Sequence, residues 1–553
     1  MMKRKIGLLS NVTVDMVAAK LRKKYDVYVP DGFDMWISDI LNPASGLYES
    51  VPEAIIVLLD GTEFRCGYSE EQIDERFSLW QSAIERLKEA FSDIPVFVST
   101  ISFRESSIRT YSERTHWMER NFLWYDMIQG KAESYRNFYV LDIARRILHD
   151  GESQFYSNKM WYMGSMPYSK QGIAAVTEEI NNALSAAFEG RKKAIVLDLD
   201  NTLWGGVIGE DGVDGISLSE HKEGERFYDF QYRLLEMQKR GVLLTVNSKN
   251  NQEDAVEAID KHPSMLLRSE CFAAQKINWN DKASNIKELE TEMNLTEGSF
   301  VFVDDNPVER EIVAGQCPEV LIADFPEDSS ELIVLAEKLY CEQFRALALT
   351  DEDRQKTKMY QTEAKRKAMQ SSSLDLNEYV RLLEMKTDIH LVKPEEMERV
   401  HQLCNKTNQF NLTTKRYSLK ELTDMLEDTK TDIYTVSASD KFGDNGLIGV
   451  LICKLENDNV SVDTFLMSCR VMGRLLENVL MYCIARKYKY KAKQITGEYI
   501  PTKKNAPVAE KYKELGFTLI DEKDGCKRYV LDLSRPYPQV ECYNEICFES
   551  EII

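Results

Sequence analysis

The sequence predicts a multidomain α/β protein in which two doubly wound parallel-sheet units precede an α+β unit. Three observations predict it. A chain of 553 residues exceeds what one hydrophobic core can serve and implies roughly three or four domains. Short apolar runs alternate with amphipathic helical stretches through about residue 345, the pattern of parallel strands joined by crossover helices. Beyond residue 386 the alternation changes, and long strand patterns stand next to one another as antiparallel pairs do.

In chain order, residues 1–188 carry strand candidates in "KIGLL", "YDVYV", "AIIVLL", "IPVFVS" and "FYVLD", with helical patterns over 70–92 and 112–130. "FEGRKK" at 188–193 marks a boundary. Residues 189–345 form the second unit, with strands in "AIVLDLD", "VLLTV", "CFAA", "FVFVD" and "EVLIAD". One helix between them places Phe227, Phe230, Leu234 and Met237 on one face and ends at Gly241. Residues 346–385, charged and interrupted by "SSS" at 371–373, read as a helical connector. Residues 386–535 form the α+β domain, and 536–553 read as a tail. No internal repeat or low-complexity tract is evident.

Composition excludes several classes. Apolar content of 43% and charged content of 29% suit a globular protein, while a net charge of −21 argues against general nucleic-acid binding, which needs a basic footprint. Eleven scattered cysteines with no CxxC pair suggest neither a disulfide framework nor a zinc ribbon. The start "MMKRKIGLLSNVTVD" is too short in apolar residues for a signal peptide, and no stretch approaches ~18 consecutive apolar residues. The expectation is a cytoplasmic protein without membrane association.

The stretch "KAIVLDLDNTLWGG" at 193–206 ends a buried strand on two aspartates one residue apart. In open α/β sheets ligands bind beyond the carboxyl ends of the strands. There the strand at 194–197 delivers Asp198 and Asp200, that at 242–246 delivers Asn247 and Ser248, and that at 300–303 delivers Asp304, Asp305 and Asn306. Four carboxylates converging on one edge repel unless a cation joins them, and hard oxygen ligands suit Mg²⁺ bound together with a substrate phosphate. One aspartate can then attack phosphorus while its neighbour protonates the leaving oxygen and later activates water. Ser248 and a lysine would hold the phosphoryl oxygens.

With "DLDNT" at 198–202, a serine after the second strand, the lysine of "NWNDKASNI" and "VDDNP" at 303–307, this arrangement resembles the haloacid dehalogenase superfamily. The resemblance implies Asp198 as nucleophile, Asp200 as acid/base, Ser248 and Lys282 as phosphate holders, and Asp304 or Asp305 on magnesium. The candidate metal set is therefore Asp198, Asp200, Asp304 and Asp305. Thr202 is a further candidate for substrate binding, and Lys276 competes with Lys282, which is preferred because it opens a helix. The Gly-rich "WGGVIGEDGVDGI" reads as a hairpin flap, and the intervals between motifs leave no room for a large cap domain.

"LWGGVIGEDG" at 203–212, "NWNDK" at 278–282, "KTNQFNLTTKRYS" at 406–418 and "SCRVMGRLLE" at 468–477 together resemble the FkbH-like family of that superfamily. The resemblance covers roughly residues 190–535. It implies transfer of a glyceryl unit from the three-carbon acyl phosphate 1,3-bisphosphoglycerate to the phosphopantetheine thiol of an acyl carrier protein, with release of phosphate. It also implies an acyl-carrying cysteine, matched by Cys469. Arg470 and Arg474 flank that thiol and could lower its pKa; Cys404 is the alternative. The same region resembles the GNAT acyltransferase fold, with "RVMGRL" as the turn that cradles pantetheine phosphate through Arg470, Gly473 and Arg474, although Leu475 departs from the small residue expected there. The basic run "RKYKYKAK" at 486–493 is the candidate dock for an acidic carrier protein.

Two further readings complete the survey. The first domain resembles the SGNH hydrolase fold, with Ser10 ending its first strand, but "SNKMWYMGSMPYSKQG" carries no histidine to act as base, so Ser10 is expected to be structural. His116 and His149 read as ordinary helix residues. In "KTNQFNLTTKRYS" the amides Asn408, Gln409 and Asn411 are expected to contact substrate or a neighbouring domain. The competing expectation for the whole chain is a small-molecule phosphatase whose C-terminal domain serves as a specificity lid or scaffold.

Overall fold

A computed structural model describes residues 3–65, 68–104, 108–112, 116–349, 351–372, 375–468 and 471–552. Cys469 and Arg470 lie outside the described residues. The chain divides into two compact units, Met1–Thr357 and Lys358–Ile553.

The first unit contains two all-parallel five-stranded sheets. In the first sheet, β1 (Lys5–Ser10), β2 (Asp26–Tyr28), β3 (Ala54–Leu58), β4 (Val96–Ser99) and β5 (Phe138–Leu141) lie in the order β2-β1-β3-β4-β5. Every residue of β3 and β4 is buried, as a sheet covered by helices on both faces requires. The helices include Glu70–Ala90, opened by a Ser69/Gln72 capping box, and Trp117–Ser134.

In the second sheet, β6 (Ala194–Leu197), β7 (Leu243–Ser248), β8 (Phe272–Ile277), β9 (Phe300–Val303) and β10 (Leu321–Ile322) lie in the order β10-β9-β6-β7-β8. This is the Rossmann order, with β6 at the point where the winding reverses. β6 pairs with β9 on one side and β7 on the other, so the polar residues that end these three strands meet at one edge. The helix Glu225–Lys239 buries Phe227, Phe230, Leu234 and Met237 against this sheet's core and stops where Gly241 takes a left-handed φ of 86°.

The Gly-rich segment expected as a hairpin is instead a short helix, Ile208–Gly215, broken at Gly212, with one antiparallel bridge between Gly205 and Ser217 behind it. Asp211 draws the chain into a turn by accepting the Val207 N–H at 2.8 Å. That closed first turn prevails over strand pairing.

The second unit carries a nine-stranded mixed sheet formed by β11 (Lys386–Leu391), β12 (Thr431–Asp440), β13 (Gly443–Glu456), β14 (Asn459–Met467), β15 (Gln494–Tyr499), β16 (Thr518–Lys523), β17 (Cys526–Asp532), β18 (Glu545–Phe548) and β19 (Glu551–Ile552). The order is β16-β17-β15-β14-β13-β12-β11-β18-β19. The segment expected as a tail supplies β18, which pairs in parallel with β11 and buries Ile546 and Phe548 in the core.

Candidate active site

Asp198 follows β6 directly and is buried. Its Oδ1 lies 3.0 Å from the Lys282 ammonium, which donates a 2.6 Å hydrogen bond to Asp304 on the neighbouring strand end. All three side chains are shielded from water, at 9%, 4% and 0% exposure for Asp198, Lys282 and Asp304. Burial pushes the Asp198 carboxyl up to about 6, with Lys282 pulling it down and Asp304 pushing it up. Burial also raises Asp304 and Asp305 above the usual carboxylate range. For Lys282 burial opposes the charge, yet the two carboxylates outweigh it and its pKa is raised.

Lys282 is placed by the start of the helix Lys282–Met293, whose N-cap Asp281 accepts the Ser284 N–H. A ladder of amides fixes that start. Asn247 donates to the Lys282 carbonyl at 2.8 Å, Asn285 donates to Asn247 at 2.9 Å, and Asn285 and Asn278 bond one another. Lys276 goes elsewhere, lying 3.0 Å from both Glu288 and Glu292, so it is not brought to the carboxylates.

One oxygen each from Asp198, Asp304 and Asp305 lies within 4.8 Å of the other two. Three ionised carboxylates against one ammonium leave two negative charges uncompensated, the charge of one divalent cation. The hard oxygen donors of these three carboxylates fit magnesium. Asp200 does not join this cluster. Its Oδ1 accepts hydrogen bonds from the Trp204 indole at 2.9 Å and from the Ile208 N–H at 3.0 Å, and its Oδ2 accepts from Asn250 at 3.0 Å. The expected ligand role of the Asp200 side chain is corrected accordingly: the short helix that replaces the hairpin turns its first N–H to the carboxylate and holds it apart.

Ser248 is buried at the end of β7, and its Oγ accepts a hydrogen bond from Asn250 at 3.1 Å, so Asn250 links the serine to Asp200. Thr202 is fully buried, and its hydroxyl has no hydrogen-bond partner among the described residues. Gly206 must be glycine because its φ is 95° and an added Cβ would stand 2.4 Å from the Asp211 carboxylate. Trp204, Asn250 and Asn285 escaped sequence reasoning. Their spacing to the aspartates carries no periodic signal, although "SKNN" directly after a strand end was the place to look.

The sites expected in the second unit fare differently. Arg474 is 1% exposed and gripped by Glu363 at 2.8 Å and Asp440 at 3.3 Å, with Arg366 on the far side of Asp440. It is a buried cation set between carboxylates of its own unit. Gly473 and Leu475 have φ values of 75° and 58°, forming the turn that opens the helix Leu476–Tyr488. Asn411 is fully buried: it accepts the Thr414 N–H and donates to the Thr407 carbonyl. Asn408 accepts a hydrogen bond from Arg416. Both amides form bonds within the loop. Its Phe410 and Leu412 backbone bonds to β14 at Met467 and Phe465, wedging the segment beside that strand where expectation put a ligand contact. Gln409 is half-buried next to Phe410. Cys404 is buried, and burial pushes its thiol up to about 12.

In the first sheet Ser10 donates to the Leu58 carbonyl at 2.6 Å and accepts the Val12 N–H, a structural use. His149 pairs with Asp150, and His116 lies against Glu70 and Glu119.

Among solved structures, the chain is similar to the N-terminal part of the protein BF1531 from Bacteroides fragilis, which contains a phosphatase domain complexed with Mg. Sequence identity is 22%, 63% of this chain and 96% of that chain are covered, and the TM-score is 0.58. The likeness is one of fold. The chain is also similar to the ribosomal-protein-S18-alanine N-acetyltransferase from Escherichia coli, at 11% identity over 27% of this chain and 94% of that one, TM-score 0.22. The GNAT domain of S. lividans PAT is similar at 16% identity over 26% and 89%, TM-score 0.22. No protein-family model matches the chain, and no curated protein matches it. Among the described residues, no helix is long and apolar enough to cross a membrane.

Proposed function

We propose that the protein is a magnesium-dependent enzyme of the haloacid dehalogenase type that forms an aspartyl phosphate on Asp198. The observation that carries this reading is the buried Lys282 ammonium between Asp198 and Asp304, with Asp305 completing a carboxylate set two charges in excess. The similarity in fold to a chain containing a phosphatase domain complexed with Mg supports it.

In the reaction, an Asp198 oxygen bonds to phosphorus as the bond from phosphorus to the leaving oxygen breaks. Asp200, held by Trp204, Ile208 and Asn250, gives its proton to that oxygen. It then takes a proton from the water that attacks the aspartyl phosphate, freeing Asp198 and inorganic phosphate. Ser248 and Lys282 hold the phosphoryl oxygens. Magnesium, held by Asp198 with Asp304 or Asp305, supplies charge neutralisation to those oxygens when bound.

The finer reading is FkbH-like. The substrate is a three-carbon acyl phosphate such as 1,3-bisphosphoglycerate, the acyl unit passes through Cys469 to the phosphopantetheine of an acyl carrier protein, and phosphate is released. The strings at 406–418 and 468–477 support it, as do Arg486, Lys489 and Lys491, exposed on an otherwise acidic chain. The second reading is a phosphatase without acyl transfer, favoured by the burial of Cys404, the alternative acyl-carrying thiol.

The test is phosphate release with Mg²⁺ from acetyl phosphate and from enzymatically generated 1,3-bisphosphoglycerate, alongside intact mass. Asp198→Asn should lower phosphate release by at least about a thousandfold. A glyceryl adduct lost in Cys469→Ala supports the transferase. Phosphate release without an adduct supports the phosphatase, and no release from either substrate overturns both.

A further inference from the structure

β7 and β9 flank β6, the strand that ends in Asp198. Adjacent strands lie ~4.8 Å apart, so the ends of β7 and β9 are about 10 Å from one another and only two long side chains together can join them. Lys249, the residue after Ser248, and Glu309, in the first turn of the helix Pro307–Gln316, make that reach. Lys249 Nζ lies 2.6 Å from Glu309 Oε1. The pair therefore joins the ends of the two strands that flank β6, the strand that ends in Asp198.

This ion pair is incompletely satisfied. The Glu309 side chain is only 12% exposed, and its Oε2 is buried without a hydrogen-bond partner among the described residues. A covered carboxylate oxygen without a donor is costly, so the arrangement is poised for exchange rather than optimised for stability. Lys249 is 35% exposed and has further N–H donors to offer. The other cations at or beside these strand ends are committed. Lys282 serves Asp198 and Asp304, Arg310 donates to the backbone carbonyls of Asp304 and Asp305, and Lys276 serves Glu288 and Glu292.

We propose that Lys249 is a specificity-determining residue that exchanges Glu309 for a second anionic group of the substrate, so that the site selects small phosphorylated molecules bearing a carboxylate or second phosphate beyond the transferring phosphoryl. The inference rests on the reading above in one respect: a phosphoryl group occupies the cradle of Ser248 and Lys282. Glu309 then acts as a stand-in anion, competing with substrates that carry the second charge and indifferent to those that do not.

The experiment compares succinyl phosphate with butyryl phosphate, which differ by a terminal carboxylate; release without enzyme is subtracted for each, because the succinyl carboxylate attacks its own acyl carbon and expels phosphate. Phosphate release with Mg²⁺ is followed in wild type, Lys249→Met, Lys249→Arg and Glu309→Gln, with urea midpoints recorded for each. The ratio of kcat/KM for succinyl over butyryl phosphate should fall about tenfold or more in Lys249→Met, chiefly through KM, as loss of one charge-assisted bond implies. Lys249→Arg should keep the ratio, and Glu309→Gln should raise it. Opposite movement of the Met and Gln variants is the signature, since a purely structural ion pair would weaken both substrates alike in both variants. A ratio that stays constant, or falls in both, overturns the inference while leaving the active-site reading intact. Wild-type turnover of neither substrate overturns the active-site reading and this inference with it.

Discussion

Replacing Lys282 by methionine removes the one cation from between Asp198 and Asp304 while keeping most of the side-chain volume. Its partners are 9% and 0% exposed, so neither can turn to water for compensation. Breaking a buried pair by deleting one member costs about 3–5 kcal/mol, most of it the penalty of the charge left behind. The loss should appear as lower unfolding free energy in urea at pH 8 with EDTA present, followed by the fluorescence of the chain's seven tryptophans, of which Trp204 is fully buried against Asp200. The pH dependence has a definite sign. Asp198 titrates at about 6 in the fold, above the ordinary carboxylate value, so the folded state holds its proton more tightly than the unfolded chain. That stabilisation is complete below the unfolded pKa and is lost as pH rises through the folded one. Without Lys282 the folded value moves higher still, and the deficit of the variant should shrink between pH 8 and pH 5. A variant as stable as wild type at pH 8, or a deficit that grows on acidification, would refute the reasoning.

Other consequences are equally direct. Arg474→Met should destabilise the second unit by about 1–3 kcal/mol in urea, because Asp440 loses one of its two cations and keeps Arg366; a stable variant with a raised KM would support a substrate-binding role for that residue. In the native protein iodoacetamide at pH 8 should modify Cys526, which is exposed, and spare Cys404, which is buried with its thiol pushed up to about 12; early labelling of Cys404 in peptide maps would contradict its burial. Gly206→Ala should cost about 1–3 kcal/mol and depress phosphate release, since a left-handed φ and the Asp211 carboxylate both exclude a Cβ there; full activity at wild-type stability would show that the turn relaxes freely.

The parts of the site legible in the sequence are those set by strand ends. Apolar runs locate β6, β7 and β9, and a residue just past a parallel strand's carboxyl end has little choice of location, so Asp198, Ser248, Asp304 and Asp305 could be named in advance. The choice of Lys282 over Lys276 also follows from local structure, a helix start against a strand interior. What escaped depends on tertiary pairing. Nothing in "WGGVIGEDG" states that Asp211 will cap Val207 and so make a helix that takes up the Asp200 carboxylate. The flanking arginine at 474 looked available because burial by Glu363 and Asp440 is contributed from positions distant in sequence. The C-terminal stretch read as a tail for lack of length, yet a four-residue strand suffices once β11 offers an open edge.

The proposed nucleophile, Asp198, would carry the phosphoryl group between the two half-reactions. Asp200→Asn should allow attack on a good leaving group yet block activation of water, so incubation with acetyl phosphate and Mg²⁺ followed by acid quench and intact mass is the most direct measurement. A single phosphoryl increment is expected in Asp200→Asn, mapped by peptide analysis to Asp198 and absent from the Asp198→Asn/Asp200→Asn double variant. No increment in Asp200→Asn, or one that persists when Asp198 is gone, would contradict that role for Asp198.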